Sequence, residues 1–151
     1  APLLPPSGMV VLRSFGKAYG LAGLRLGFAL AGAQDAARMR RALGPWPVSG
    51  AAVEIGTRAL TDHDWLASAS AQANRDALRF DALLAGAGFR PAGGAPLFRF
   101  VNCDDAHAAF RRLAEAGILA RAFAKLPHAL RFGVPADEAV WEELARRLRS
   151  I

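Results

Sequence analysis

The 151-residue sequence predicts an α/β fold, and three observations carry that expectation. Short β-branched or aromatic runs, such as Met9 to Phe15 and Leu97 to Asn102, read as strands. Stretches with apolar residues every three or four positions read as amphipathic helices. Glycine and proline breaks separate the two kinds of run.

Taken in order, "MVVLRSF" (Met9 to Phe15), bounded by Gly8 and Gly16, predicts a buried strand. "GLRLGFALA" (Gly23 to Ala31) predicts a second strand, with "GKAYGLAG" as a glycine-spaced loop between them. "QDAARMRRAL" predicts a helix with Asp35 near its start and Gly44 at its end. Pro45 and Pro47 then break the pattern and mark a candidate boundary between structural units. "AAVEIGTRAL" is helical, and a longer helix is expected from Asp62 or Asp64 to Ala85, stopped by Gly86 and Gly88.

Beyond that helix the pattern alternates. Leu97 to Asn102 is expected as a strand, followed by a helix capped by Asp104 or Asp105. Its apolar face is Ala106, Ala109, Phe110 and Leu113, and Gly117 ends it. "ILAR" and "ALRFGV" are expected as short strands around the turn "KLPH". A closing helix, "ADEAVWEELARRLRS", is expected to bury Val140, Leu144 and Leu148. Strand, helix, two strands and helix make a small α+β unit.

Hydrophobic residues make up 53% of the chain, enough for a sizeable core, and the formal net charge is +6. That charge admits an anionic partner, but the arginines are scattered in short pairs such as Arg40-Arg41 and Arg146-Arg147. No basic run interleaves with aromatics as single-strand nucleic-acid binders require, so no nucleic acid is expected. No uncharged run exceeds twelve residues, too short to span a bilayer, so no membrane partner is expected. The single cysteine, Cys103, allows no intrachain disulfide and fits a reducing, cytoplasmic setting. His63, His107 and His128 lie far apart, and no metal site is expected. The lead-in "APLLPPSG" begins without methionine, which fits a chain that starts partway through a longer gene product.

The chemistry concentrates in "SFGKAYGLAGLRLGF", Ser14 to Phe28, which holds Lys17, one of two lysines beside seventeen arginines. It is no P-loop, because Val11 and Ala18 occupy the places of the first glycine and the hydroxyl residue. Nor does the spacing of Gly20, Gly23 and Gly27 make a dinucleotide fingerprint. A lysine among glycines and apolar residues can be a carbonyl-capturing amine, since desolvation favours its neutral form. A serine hydroxyl with an arginine fork can hold a phosphate. A carbonyl-capturing lysine beside a phosphate cradle is what pyridoxal phosphate requires. A solvated loop lysine is the plainer alternative.

The same stretch resembles the lysine segment of the class I/II, fold-type I, pyridoxal-phosphate-dependent aminotransferases, with serine at minus three and arginine at plus eight. The resemblance implies that Lys17 bonds the cofactor aldehyde and that Ser14 and Arg25 bind its phosphate. Gly16 departs from the pattern, where many members carry a hydroxyl residue. Within that family "RSFGKAYGLAGLRLGFALA", "GPWPVSGAA" and "LRFGVP" are more similar to the threonine-phosphate decarboxylases of cobalamin biosynthesis than to the histidinol-phosphate aminotransferases. By that likeness Arg131 binds the substrate carboxylate and Arg121 its phosphate. Trp46 stands either near the site entrance or in the core.

The resemblance further implies the end of a large cofactor domain over residues 1–48, connecting helices over 49–88 and a small α+β domain over 89–151. It implies a small phosphorylated amino-acid substrate and a homodimer of the full-length protein. Family members are longer, so the 151 residues alone are expected to be inactive. Two rivals stay open: transamination of the histidinol-phosphate type, and a non-catalytic basic module that binds an acidic partner.

Overall fold

A computed structural model describes residues 8–151, in two compact units, Ala1–Ser68 and Ala69–Ile151. The division falls within one long helix. "APLLPPS", residues 1–7, lies outside the described residues.

In the first unit, strand β1 (Val10–Ser14) leads directly into a one-turn helix, α1 (Phe15–Ala18). A 3-10 turn (Ala22–Leu24) follows, and then strand β2 (Gly27–Ala31). β1 and β2 pair antiparallel from Val10↔Ala31 to Ser14↔Gly27. Helix α2 (Ala33–Leu43) ends at Gly44, whose φ of 76° suits a residue without a side chain. Helix α3 (Gly50–Thr61) starts where the Ser49 hydroxyl accepts from the Ala52 amide at 3.1 Å. Helix α4 (His63–Gly86) starts where Asp62 accepts from the Trp65 amide at 3.0 Å.

Three expectations for this unit change. β1 is exposed along its whole length, with Leu12 78% accessible. The hairpin is a two-stranded sheet, and no third strand pairs with either edge among the described residues. The second strand begins at Gly27 instead of Gly23, because Arg25 takes a left-handed backbone (φ 54°) that ends the 3-10 turn and cannot continue a ladder. The "GKAYGLAG" loop also proves partly helical, through α1 and the 3-10 turn.

The second unit is a four-stranded antiparallel sheet with helices on one face. Its strands are β3 (Arg90–Ala95), β4 (Phe98–Asn102), β5 (Arg121–Phe123) and β6 (Leu126–Gly133), in the order β3-β4-β6-β5. Helix α5 (Ala106–Glu115) is capped by Asp105, which accepts from the His107 and Ala108 amides at 2.9 Å. Helix α6 (Glu138–Leu148) is capped by Asp137. Phe80 and Leu84 of α4, Leu113 of α5 and Trp141 of α6 pack with Val101, Leu130 and Phe132 of the sheet. Phe80 meets Phe132 and Trp141 edge-on, at 6.1 and 5.5 Å between ring centroids.

β3 is absent from the sequence reading. It carries Pro91, Gly93 and Gly94, and survives as an edge strand with a register shift between Pro91 and Gly94. β5 starts at Arg121, later than "ILAR" implies, and β6 starts at Leu126, so Pro127 and His128 join the strand. On α6, Leu148 is buried and Leu144 half-buried as expected, but Val140 is 52% exposed and Trp141 takes its place in the core. Trp141 is held by the Phe80 ring on one side and the Arg79 guanidinium, 4.3 Å from its centroid, on another. No helix of the described residues is long and apolar enough to cross a membrane.

Candidate active site

Lys17 sits on α1, the single helical turn between the end of β1 and the 3-10 turn. The Tyr19 amide donates to the Phe15 carbonyl at 3.0 Å and closes that turn. Phe15, 2% exposed, anchors it, and its backbone amide donates to the Leu26 carbonyl at 3.3 Å. Gly56 of α3 lies against Leu26 and Phe15: a Cβ there would stand 2.4 Å from Leu26 Cδ2. The anchor is therefore a strand end, a helical turn and a close-packed helix, a more rigid support than a free loop.

Gly16 explains how the turn fits. A Cβ at Gly16 would stand 2.9 Å from the Ala22 Cα and 3.3 Å from its Cβ, so only a residue without a side chain lets α1 pack this closely on the 3-10 turn. Arg25 follows the 3-10 turn and lines the same concavity as Lys17. Arg25 holds its left-handed conformation with its amide donating to the Ala22 carbonyl at 3.4 Å, and its Nη1 donates to the same oxygen at 3.1 Å. A non-glycine residue there costs about 1–2 kcal/mol, which the two contacts to Ala22 help offset.

The result is a concavity of about 500 Å³ lined by Ser14, Lys17 and Arg25 with Gly16, Ala22 and Gly27. Two cations and a hydroxyl border it, and among the described residues no acidic side chain does. Among the described residues neither the Ser14 hydroxyl nor the Lys17 amine has a hydrogen-bond partner. Lys17 is exposed, so the apolar surroundings expected from sequence do not enclose it within this chain. What the arrangement offers chemically is a primary amine beside a cradle for a dianion.

An aromatic series braces the turn. Phe15 stacks on Tyr19 at 4.5 Å, Tyr19 on Trp65 at 6.1 Å, and Phe15 meets Phe28 at 5.6 Å. Sequence reasoning passed over Tyr19 and Trp65. The four-residue spacing of Phe15 and Tyr19 was the available signal, since it places both rings on one side of a helical turn. Trp46 is 90% exposed, which removes it from the core.

The two other sequence-predicted arginines lie in the second unit. Arg121 on β5 and Arg131 on β6 are directly opposite in the antiparallel register, so their side chains leave the same sheet face. That face is the one turned away from Leu130 and Phe132, which are buried under the helices. Neither guanidinium has a hydrogen bond or ion pair among the described residues. Like charges placed directly opposite destabilise a sheet unless an anion lies between them.

Comparisons with known proteins agree on one family. The model of "Aminotransferase class I and II" matches residues 4–148. A threonine-phosphate decarboxylase of Pseudomonas aeruginosa is 41% identical over 137 residues, covering 91% of this chain and 41% of its own length. A second, from a Sinorhizobium species, is 44% identical over 140 residues, with 93% and 41% covered. Among solved structures, the histidinol-phosphate aminotransferase of Sinorhizobium meliloti in complex with pyridoxal-5'-phosphate superposes with a TM-score of 0.72 at 30% identity, covering 93% of this chain and 41% of that one. The chain thus spans about 41% of the length of the curated relatives it matches. The α/β fold expected from sequence is the fold of these structures. Matched over nearly every residue, the chain belongs to the aminotransferase class I and II family.

Proposed function

We propose that this chain supplies the cofactor lysine and the substrate-anion arginines of a pyridoxal-phosphate-dependent decarboxylase acting on L-threonine O-3-phosphate. The observation that carries the reading is the gathering of Ser14, Lys17 and Arg25 around one concavity with no acidic lining residue among the described residues. These residues fit the cofactor: a primary amine suits its aldehyde, and a guanidinium with a hydroxyl suits its phosphate. Gly16 contributes no side chain, so Ser14 and Arg25 are the phosphate-holding side chains of this segment. When bound, pyridoxal phosphate supplies an electron sink for bond breaking at the substrate Cα.

Arg131 and Arg121 offer two forks on one sheet face, a match for a small amino acid that bears both a carboxylate and a phosphate. We assign the carboxylate to Arg131 and the phosphate to Arg121. Decarboxylation breaks the bond from Cα to the carboxylate, releases carbon dioxide and requires a proton at Cα. Lys17, as ammonium, is the group of this chain able to deliver it. The 41–44% identity to threonine-phosphate decarboxylases favours this reaction. The 30% identity to a histidinol-phosphate aminotransferase structure keeps transamination as the second reading, in which the Lys17 amine removes the Cα proton instead. The whole protein is proposed to work as a homodimer.

A chimera separates the two reactions: this chain replaces the matched part of the Pseudomonas aeruginosa relative. Carbon dioxide release from carboxyl-labelled threonine phosphate, abolished by Lys17→Ala, is the expected result. Amino transfer to a keto acid without that release would replace the first reading by the second.

A further inference from the structure

Arg121 and Arg131, assigned above to substrate anions, lie over aromatic rings and beside no carboxylate among the described residues. The Arg131 guanidinium carbon stands 5.1 Å from the centroid of Phe98, and that of Arg121 stands 5.3 Å from the centroid of Phe123. Five other arginines of this unit pair with carboxylates: Arg79 with Glu138, Arg90 with Asp104, Arg99 with Asp81, and Arg146 and Arg147 with the shared Glu143. Arg121 and Arg131 have no such partner among the described residues.

The register explains how the rings reach them. Phe100 is directly opposite Arg131, and Phe98, two residues earlier on β4, shares its face. Phe98 is thus the diagonal neighbour of Arg131, a separation that aromatic side chains span. Phe123 stands two residues after Arg121, beyond a register shift between Ala122 and Phe123, and its ring lies 5.7 Å from that of Phe100. Phe98, Phe100 and Phe123 are all half-buried. Together they form a shelf along the sheet face under two opposed cations.

We propose that Phe98 and Phe123 are positioning residues for substrate binding, each holding one guanidinium by its ring face. A carboxylate in that place would neutralise the arginine and occupy its donors. A ring attracts the cation through its quadrupole and leaves the donor N–H groups free for an incoming anion. It also resists the mutual repulsion of the two opposed guanidiniums without consuming their charge. The proposal rests on the reading of Arg121 and Arg131 as substrate-anion ligands, and its test separates the two ideas.

The test titrates O-phospho-L-threonine into the 151-residue chain by calorimetry, with inorganic phosphate as a second probe. Phe98→Leu and Phe123→Leu should each weaken phosphothreonine binding about three- to ten-fold, while Phe98→Trp and Phe123→Trp restore or exceed parental affinity. Loss of packing alone would not follow that aromatic order. Independently of ligand, the Arg131 and Arg121 Hε resonances should be shifted upfield by the rings in the parent, and the shift should vanish in the leucine variants. Parental binding by Phe98→Leu and Phe123→Leu, while Arg131→Gln and Arg121→Gln bind weakly, overturns the shelf and spares the arginine assignment. Parental binding by the two glutamine variants overturns the assignment, and the positioning role with it.

Discussion

Gly16→Ala tests the close contact on which the lysine turn depends. Alanine is favoured over glycine in a helix by about 1 kcal/mol, so propensity alone predicts a more stable protein. The added Cβ, however, would stand 2.9 Å from the Ala22 Cα and 3.3 Å from its Cβ. Carbon atoms prefer separations of about 3.5–4.0 Å, and the nearer atom is backbone, which cannot rotate away. Overpacking of this kind costs about 1–3 kcal/mol, so repulsion wins and the net loss is about 1 kcal/mol. Relief requires the 3-10 turn to move away from α1, which spreads Arg25 from Lys17. Urea unfolding read by tryptophan fluorescence measures the stability, and calorimetry with inorganic phosphate, in a background of Arg121→Gln and Arg131→Gln, measures the cradle. Gly23→Ala is the control, because a Cβ at Gly23 meets nothing within 4 Å. The reasoning fails if Gly16→Ala is as stable as Gly23→Ala and binds phosphate as the parent does.

Asp81 chelates Arg99 with contacts of 2.7 and 2.6 Å, and their side chains are 22% and 14% exposed. Asp81→Ala strands an enclosed cation and should destabilise the second unit by about 3 kcal/mol, with Asp81→Leu plus Arg99→Met recovering much of it; a loss below about 0.5 kcal/mol in urea unfolding contradicts this. Arg90 holds the Asp104 carboxyl below its usual range, the Ala108 and His107 amides do so for Asp105, Arg79 for Glu138, and Arg146 with Arg147 for Glu143. Because these pKa values are depressed on folding, the stability they contribute is present above the ordinary carboxylate range and lost as pH falls through the lowered values. Melting temperature should therefore drop below about pH 4, and a rise on acidification would contradict the pairings. Burial pushes the Cys103 thiol up, and the residue is 8% exposed. It should react slowly with a disulfide reagent at neutral pH until urea is added, and immediate reaction in the native protein would show the core to be open.

Where local spacing decided the structure, the sequence was legible. Asp104 or Asp105 before Ala106, Ala109 and Leu113 announced α5, with the structure choosing Asp105, and Gly44 announced the end of α2. The Lys17, Ser14 and Arg25 grouping was legible because a short hairpin keeps near residues near. The left-handed turn at Arg25 was not, since it is held by contacts to Ala22 that no propensity encodes. β3 was hidden because proline and glycine argue against a strand, and only an edge position next to β4 accommodates them. Trp141 displaced Val140 from the core because the Phe80 ring and the Arg79 guanidinium, far away in sequence, offer it a slot. The opposition of Arg121 and Arg131 depends on a cross-strand register set by a turn and a bulge, which residue types alone do not specify.

Lys17 and Lys125 are the chain's only lysines, and both are exposed, so each serves as the other's accessibility control. The decisive measurement treats the chain with pyridoxal phosphate and borohydride, then maps the pyridoxyl mark by peptide mass spectrometry. A cradle formed by Ser14 and Arg25 predicts marking of Lys17 in large excess over Lys125, with the excess lost in Arg25→Gln. Equal marking of the two lysines would contradict it.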